Sequence, residues 1–178
     1  MSEFYTDTKQ LKELCPLLKV GDRVFLSGEV FTARDAAHKR IFEYIEADRP
    51  LPFCVEGAVI YYAGPTPTPA GLPIGSCGPT TSARMDTYTP RLLDMGLVAT
   101  IGKGERDPAV AESIIKNKSV YLCAIGGAGA LACRHIKKCE VIGFDDLGCE
   151  SVKRLLFDNF PLTVGIDCRG GDIFKRNP

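Results

Sequence analysis

A chain of 178 residues, 45% of them hydrophobic and 25% charged, has the size and composition of one soluble globular domain. Its 22 basic residues balance its 22 acidic ones, so no global field draws it to nucleic acid or to an anionic membrane. No apolar run approaches the roughly 20 residues of a membrane helix, and the polar start lacks the plan of a signal peptide, which together predict a cytoplasmic protein.

Strand and helix signals alternate along the chain without a repeat or a long linker. Val24 to Val30 reads as a strand. Thr32-Ala33-Arg34-Asp35 has the form of a capping box, with Thr32 at the cap, and Ala37, Ile41, Tyr44 and Ile45 continue at helical spacing to about Ala47. Ala58 to Tyr62 reads as a buried strand. The stretch from Gly64 to Pro79 carries five prolines and four glycines and must be loop. Thr89-Pro90 opens a helix that Gly96 stops, Leu97 to Ile101 is a strand, and Asp107-Pro108 opens the next helix. A strand from Val120 to Ile125 leads into Gly126-Gly127-Ala128-Gly129 and a helix to about Lys137. A strand over Glu140–Phe144, a helix over Cys149–Asp158, a strand over Leu162–Cys168 and a hairpin at Gly170-Gly171 complete the pattern. Alternating strands and helices predict an α/β fold with a largely parallel sheet, and the early strands suggest a second sheet. The whole of residues 1–178 reads as a single domain.

The eight cysteines (Cys15, Cys54, Cys77, Cys123, Cys133, Cys139, Cys149 and Cys168) include no C-x-x-C pair, so neither a zinc ribbon nor a ferredoxin-type cluster motif is present. In a reducing compartment they read as small buried hydrophobes, with Cys77 set apart by its glycine-rich surroundings.

Two motifs compete for the chemistry. Gly127-Ala128-Gly129-Ala130-Leu131-Ala132 follows a strand and opens a helix, with Asp145 at the end of the next strand, as a dinucleotide fingerprint requires. Tight glycine turns of this kind also arise for packing alone. The second motif is Gly75-Ser76-Cys77-Gly78-Pro79-Thr80-Thr81-Ser82-Ala83-Arg84-Met85-Asp86. It suggests a helix start with free N–H groups, Thr80 and Arg84 facing one side, although a capped helix with a solvated arginine fits the same letters. Arg34 and His38 are likewise four apart at a helix start, and Gly102-Lys103-Gly104 puts a lysine between glycines at a strand end, where α/β sheets bind ligands.

Thr32 to Arg40, Tyr61 to Pro65, Gly78 to Asp86 and Ile101 to Gly104 resemble the class I (iron–sulfur) fumarate hydratase β region, which is a separate subunit in some enzymes and the C-terminal half in others. They are also similar to the L-tartrate dehydratase β subunit. The resemblance covers about residue 17 onward. It implies a three-layer β/β/α swivelling domain and a partner α subunit that carries a 4Fe–4S cluster, with none bound by this chain. It further implies that Arg34, Arg84 and Lys103 bind substrate carboxylates of fumarate or malate and that Thr80 is the base. His38 is the alternative base, its ordinary pKa being near neutrality, or a helix-face residue bracing its neighbours. Guanidinium forks suit a dicarboxylate because they fix orientation as well as charge.

Overall fold

The computed structural model describes residues 1–125, Gly127 and residues 129–175. In chain order its elements are β1 (Glu3–Asp7), α1 (Leu11–Leu14), β2 (Arg23–Thr32), α2 (Asp35–Glu46), β3 (Val59–Tyr61), α3 (Thr89–Asp94) and β4 (Ala99–Gly102). They continue with α4 (Pro108–Asn117), β5 (Val120–Cys123), α5 (Gly129–Ala132), β6 (Ile136–Gly143) and β7 (Val152–Ile166). The fold is α/β, as the alternation predicted.

The strands form one seven-stranded mixed sheet in the order β1-β2-β3-β4-β5-β7-β6. Neighbours from β1 to β5 run parallel, and β7 runs antiparallel to β5, β6 and β2. Because β7 pairs with β2 as well as β5, strands β2, β3, β4, β5 and β7 close into a barrel-like ring, with β1 and β6 as outriders. The early strands therefore belong to the same sheet as the later ones, where a separate second sheet and a layered β/β/α stack were expected. Closure leaves no free edge within the ring, and the outriders β1 and β6 keep one open edge each.

Alternation along the strands explains both faces. Val59 and Tyr61, Ala99 and Ile101, Val120 and Leu122 point into one buried cluster with Leu155, Phe157 and Val164. Ile60 and Tyr62 and Tyr121 point to the other, beneath Ala37 and Ile41 of α2, Leu92 and Leu93 of α3, and Val110 and Ile114 of α4. A strand buried on both faces reads as a continuous apolar run, which is why β3 and β5 were legible. No helix among the described residues is long and apolar enough to cross a membrane.

One predicted helix is absent and another is cut short. Cys149–Asp158 is instead the end of a 3₁₀ turn (Asp145–Glu150) followed by β7. Val152, Leu155 and Leu156 satisfy helical spacing, but Leu155, Phe157, Phe160, Leu162 and Val164 bury on a two-residue period, interrupted at Asn159 with φ 48°. Three strands that need a partner decide between the readings. The helix expected to run to Lys137 stops at Ala132, and after a short turn β6 pairs along β7 from Ile136. Gly126 and Ala128 of the preceding turn lie outside the described residues.

Candidate active site

The parallel strands end on one side of the ring, and the candidate residues follow those ends. Arg34 lies two residues beyond β2, and Lys103 directly follows β4. Between β3 and β4 the proline-rich loop returns as an extended segment. Pro79 bridges Ala63, the Thr80 N–H donates to the Tyr62 carbonyl at 2.7 Å, Thr81 bridges Lys103, and the Ser82 N–H donates to the Lys103 carbonyl at 2.9 Å. Thr80 is thus half-buried in extended backbone between two strand ends, not at a helix start. Only Ser82–Met85 turns, as a four-residue 3₁₀ segment with Thr81 at its cap, so Thr80 and Arg84 do not share a helix face.

Close packing fixes this segment. The Ser82 hydroxyl lies 2.9 Å from the Tyr121 hydroxyl, which in turn donates to the Gly104 carbonyl at 2.9 Å. Ser82 Oγ occupies the space that a side chain at Gly102 would fill, so the glycine before Lys103 is needed for close approach.

The start of α2 differs from the expected capping box. Thr32 is buried within β2, its hydroxyl accepting from the Lys153 N–H at 3.0 Å and donating to the Ser151 carbonyl at 3.4 Å. Arg34 takes the cap position with no side-chain cap. Glu150, distant in sequence, does the capping: its Oε2 accepts from the Ala36 N–H at 2.9 Å, while Oε1 lies 3.5 Å from Arg34 Nη2. A carboxylate there also complements the helix dipole. The Arg34 guanidinium packs over Gly64, where an added Cβ would fall 2.9 Å from Nη1.

Arg84 crosses to α2. Its Nε donates to Asp35 Oδ1 at 2.8 Å, and its Nη2 lies 2.8 Å from Oδ2 as an ion pair without hydrogen-bond alignment. Asp35 Oδ2 also lies 3.9 Å from Arg34 Nε. Both of these atoms are buried without an aligned partner, as is His38 Nε2.

His38 is fully buried against Tyr62 and Tyr88, with ring centroids 5.5 Å away in each case. Its Nδ1 lies 2.9 Å from the Arg34 carbonyl, an acceptor, so Nδ1 carries the proton and donates. Desolvation pushes its pKa from 6.5 down to about 4, leaving a neutral ring at physiological pH. The imidazole therefore braces the backbone of Arg34.

Beneath the site lies a residue that sequence reasoning missed. The Arg106 side chain is 0% exposed, and its Nε donates to Asp86 Oδ1 at 2.6 Å. It also donates to Thr100, Thr89 and Tyr62 at 3.1, 2.8 and 3.3 Å. Asp86 Oδ2 accepts from the Asp107 N–H at 2.6 Å, which ties the Ser82–Met85 turn to the start of α4. Arg106 sits between two acids in a stretch that reads as surface; no periodicity marks it. Asp86 closes the run from Gly75 only as a letter, and its partner lies 20 residues away.

Lys103, by contrast, makes no ion pair among the described residues. Cys77 has its thiol buried and its pKa pushed up to about 12 by desolvation, so it is no reactive thiolate. Among the described residues no three His, Cys, Asp or Glu side chains converge as a metal site. The dinucleotide fingerprint loses its context: α5 has four residues, and antiparallel β7 stands between β5 and β6.

Known proteins resemble the chain along almost its whole length. The profile of the family described as Fumarase C-terminus matches residues 3–177. "Fumarate hydratase 1, mitochondrial" of Leishmania major is 41% identical over 159 residues, 88% of this chain and 29% of that protein. "Fumarate hydratase class I, anaerobic" of Escherichia coli is 37% identical over 173 residues, 94% of this chain and 32% of that protein. The "L(+)-tartrate dehydratase subunit beta" of Escherichia coli is 32% identical over 165 residues, 90% of this chain and 81% of that subunit. The chain thus spans about a third of the length of these fumarate hydratases and most of the tartrate dehydratase subunit. A profile matched almost end to end, with identities above 30% over most of the chain, leads to one conclusion: the chain belongs to the fumarase C-terminus family.

Proposed function

We propose that the chain acts as one domain over residues 1–178, the β subunit of a two-subunit cytoplasmic hydro-lyase that reversibly hydrates fumarate to L-malate. The observation that carries this reading is the placement of Arg34 and Lys103 just beyond the carboxyl ends of the parallel strands β2 and β4, with Thr80 inserted between the ends of β3 and β4 and Arg84 on the short turn that follows it. Fumarate and malate are dianions, and removing the C3 proton of malate adds charge to the adjacent carboxylate. Preorganised cations aimed at that developing charge are usually the largest catalytic contribution. In this reading Arg34 and Arg84 hold the carboxylates, and Lys103 faces the added charge.

Thr80 takes the proton. His38 is less suited, since its buried ring already donates to the Arg34 carbonyl and resists protonation. Thr80 stands in extended backbone, so no helix dipole assists it; Lys103, across the bridge from Thr81, is the neighbouring cation. The thiols of this chain do not fit a 4Fe–4S cluster, and we place that cofactor on the partner α subunit.

A second reading, the β subunit of an L-tartrate dehydratase, rests on the 32% identity over 165 residues to that subunit of Escherichia coli. Co-production with the cluster-carrying partner and assay on L-malate, fumarate and L-tartrate separates the two. We expect turnover of malate and fumarate by the pair, and a folded, colourless, inactive chain when it is purified alone. Turnover of L-tartrate only would move the assignment to the second reading.

A further inference from the structure

The two proposed carboxylate-binding arginines are held very differently. Arg34 is braced by its own helix start, by Gly64 beneath it and by Glu150. Arg84 stands on a four-residue turn with its side chain 49% exposed, and Asp35 is its one polar partner among the described residues. A long side chain so exposed samples many rotamers unless something selects one.

Asp35 is placed to make that selection. It is the first residue of a 12-residue helix whose next N–H is pinned by Glu150, so its own position is fixed. Its Oδ1 accepts from Arg84 Nε, and its Oδ2 lies between Arg84 Nη2 at 2.8 Å and Arg34 Nε at 3.9 Å. One carboxylate thus touches both guanidiniums from residues 50 positions apart in the chain (34 and 84). Arg34 Nε and Asp35 Oδ2, each buried without an aligned partner, face each other across that gap.

We infer that Asp35 is a positioning residue: it fixes Arg84 relative to Arg34 and so sets the span across which the two guanidiniums grip one four-carbon dianion. This rests on the dicarboxylate reading above. A carboxylate so near the ligand also repels it, and the two effects differ in their kinetic signature. A repeller raises KM. A positioner supports kcat, because misplacing a binding group by about 1 Å can cost 100-fold in rate.

The test uses the assembled, cluster-loaded enzyme with L-malate as the varied substrate. Asp35→Asn keeps the side chain's shape and removes its charge. We expect kcat to fall about 10- to 100-fold with KM unchanged or lowered, and the melting temperature to stay near wild type, since so exposed a pair adds little stability. Asp35→Glu, which keeps the charge on α2, should recover part of the rate, and it carries the same test if Asp35→Asn does not fold. Adding Asp35→Asn to Arg84→Lys should cost little more than Arg84→Lys alone, because a residue acting through Arg84 then has nothing left to aim. A kcat near wild type, a lowered KM with kcat intact, or losses that multiply in the double variant would each overturn the inference and leave the hydro-lyase reading standing. A wild-type assembly that turns over no malate, fumarate or tartrate would sink that reading and the inference with it.

Discussion

At the scale of single residues, Thr80 lies outside the helix start its letters suggested, while His38 stays on its helix but fully buried. The helix start belongs to Thr81, so Thr80→Ala removes no cap and its effect on rate can be read without that complication. We expect Thr80→Ala to lower kcat of the assembled enzyme by about 10²–10⁴-fold, the usual worth of a positioned general base. Thr80→Ser should keep part of the rate and His38→Asn should do milder damage. A near-normal Thr80→Ala enzyme beside a dead His38→Asn enzyme that still binds substrate would transfer the base role to His38. The imidazole has a separate thermodynamic signature. With a folded pKa of about 4 against 6.5 ordinarily, it binds a proton in the unfolded chain before it does so in the folded one. Stability is therefore fully present above pH 6.5 and declines as pH falls toward 4, by roughly 3 kcal/mol at the low-pH limit. Denaturant titrations across that window should show the slope in the wild type, and His38→Gln should flatten it.

Among the elements, the short turn that carries Arg84 depends on a buried ion pair rather than on its own hydrogen bonds. Asp86 closes the turn, holds Arg106 and accepts the N–H that opens α4. Removing one partner of such a pair strands a buried charge, at a cost of about 3–5 kcal/mol. Asp86→Ala should accordingly unfold the chain at much lower denaturant concentration, whereas Arg84→Lys, two residues away and half-exposed, should leave stability almost unchanged. Equal losses from both would show that Arg106 is satisfied without Asp86. Neither role can be read from the run of letters, since Arg84 and Asp86 are both charged and close together. The difference lies in Thr100, Thr89 and Tyr62, which gather around Arg106 only once the sheet has formed.

Across the whole molecule, what was legible is what local physics decides. The buried strands β3 and β5 showed as apolar runs, α3 and α4 as proline-opened helices, and the loop to Pro79 as proline and glycine. Lys103 stood out because it lies between glycines at a strand end, where α/β folds bind ligands, and Arg34 because it stands four residues before His38 at a helix start. What failed was every feature set by a distant partner. Glu150 replaces Thr32 at the start of α2 from more than a hundred residues away. The stretch after Val152 is strand because β2, β5 and β6 all pair with it, although its own spacing also suits a helix. Periodicity carries no record of such pairings.

The closing role of β7 also bears on how the chain reaches this state during synthesis. Until residues 152–166 emerge from the ribosome, β2 has no partner on that flank and β5 is an open edge, so the growing chain displays hydrogen-bonding groups that the finished ring conceals. Pairing Arg23 with Thr163 joins residues 140 positions apart, and loops that long close late. Glu150 lies just ahead of that strand, so the arginine at the mouth of β2 waits for its brace until more than a hundred further residues have been made. The nascent chain is then most exposed to misassociation in the interval before β7 arrives.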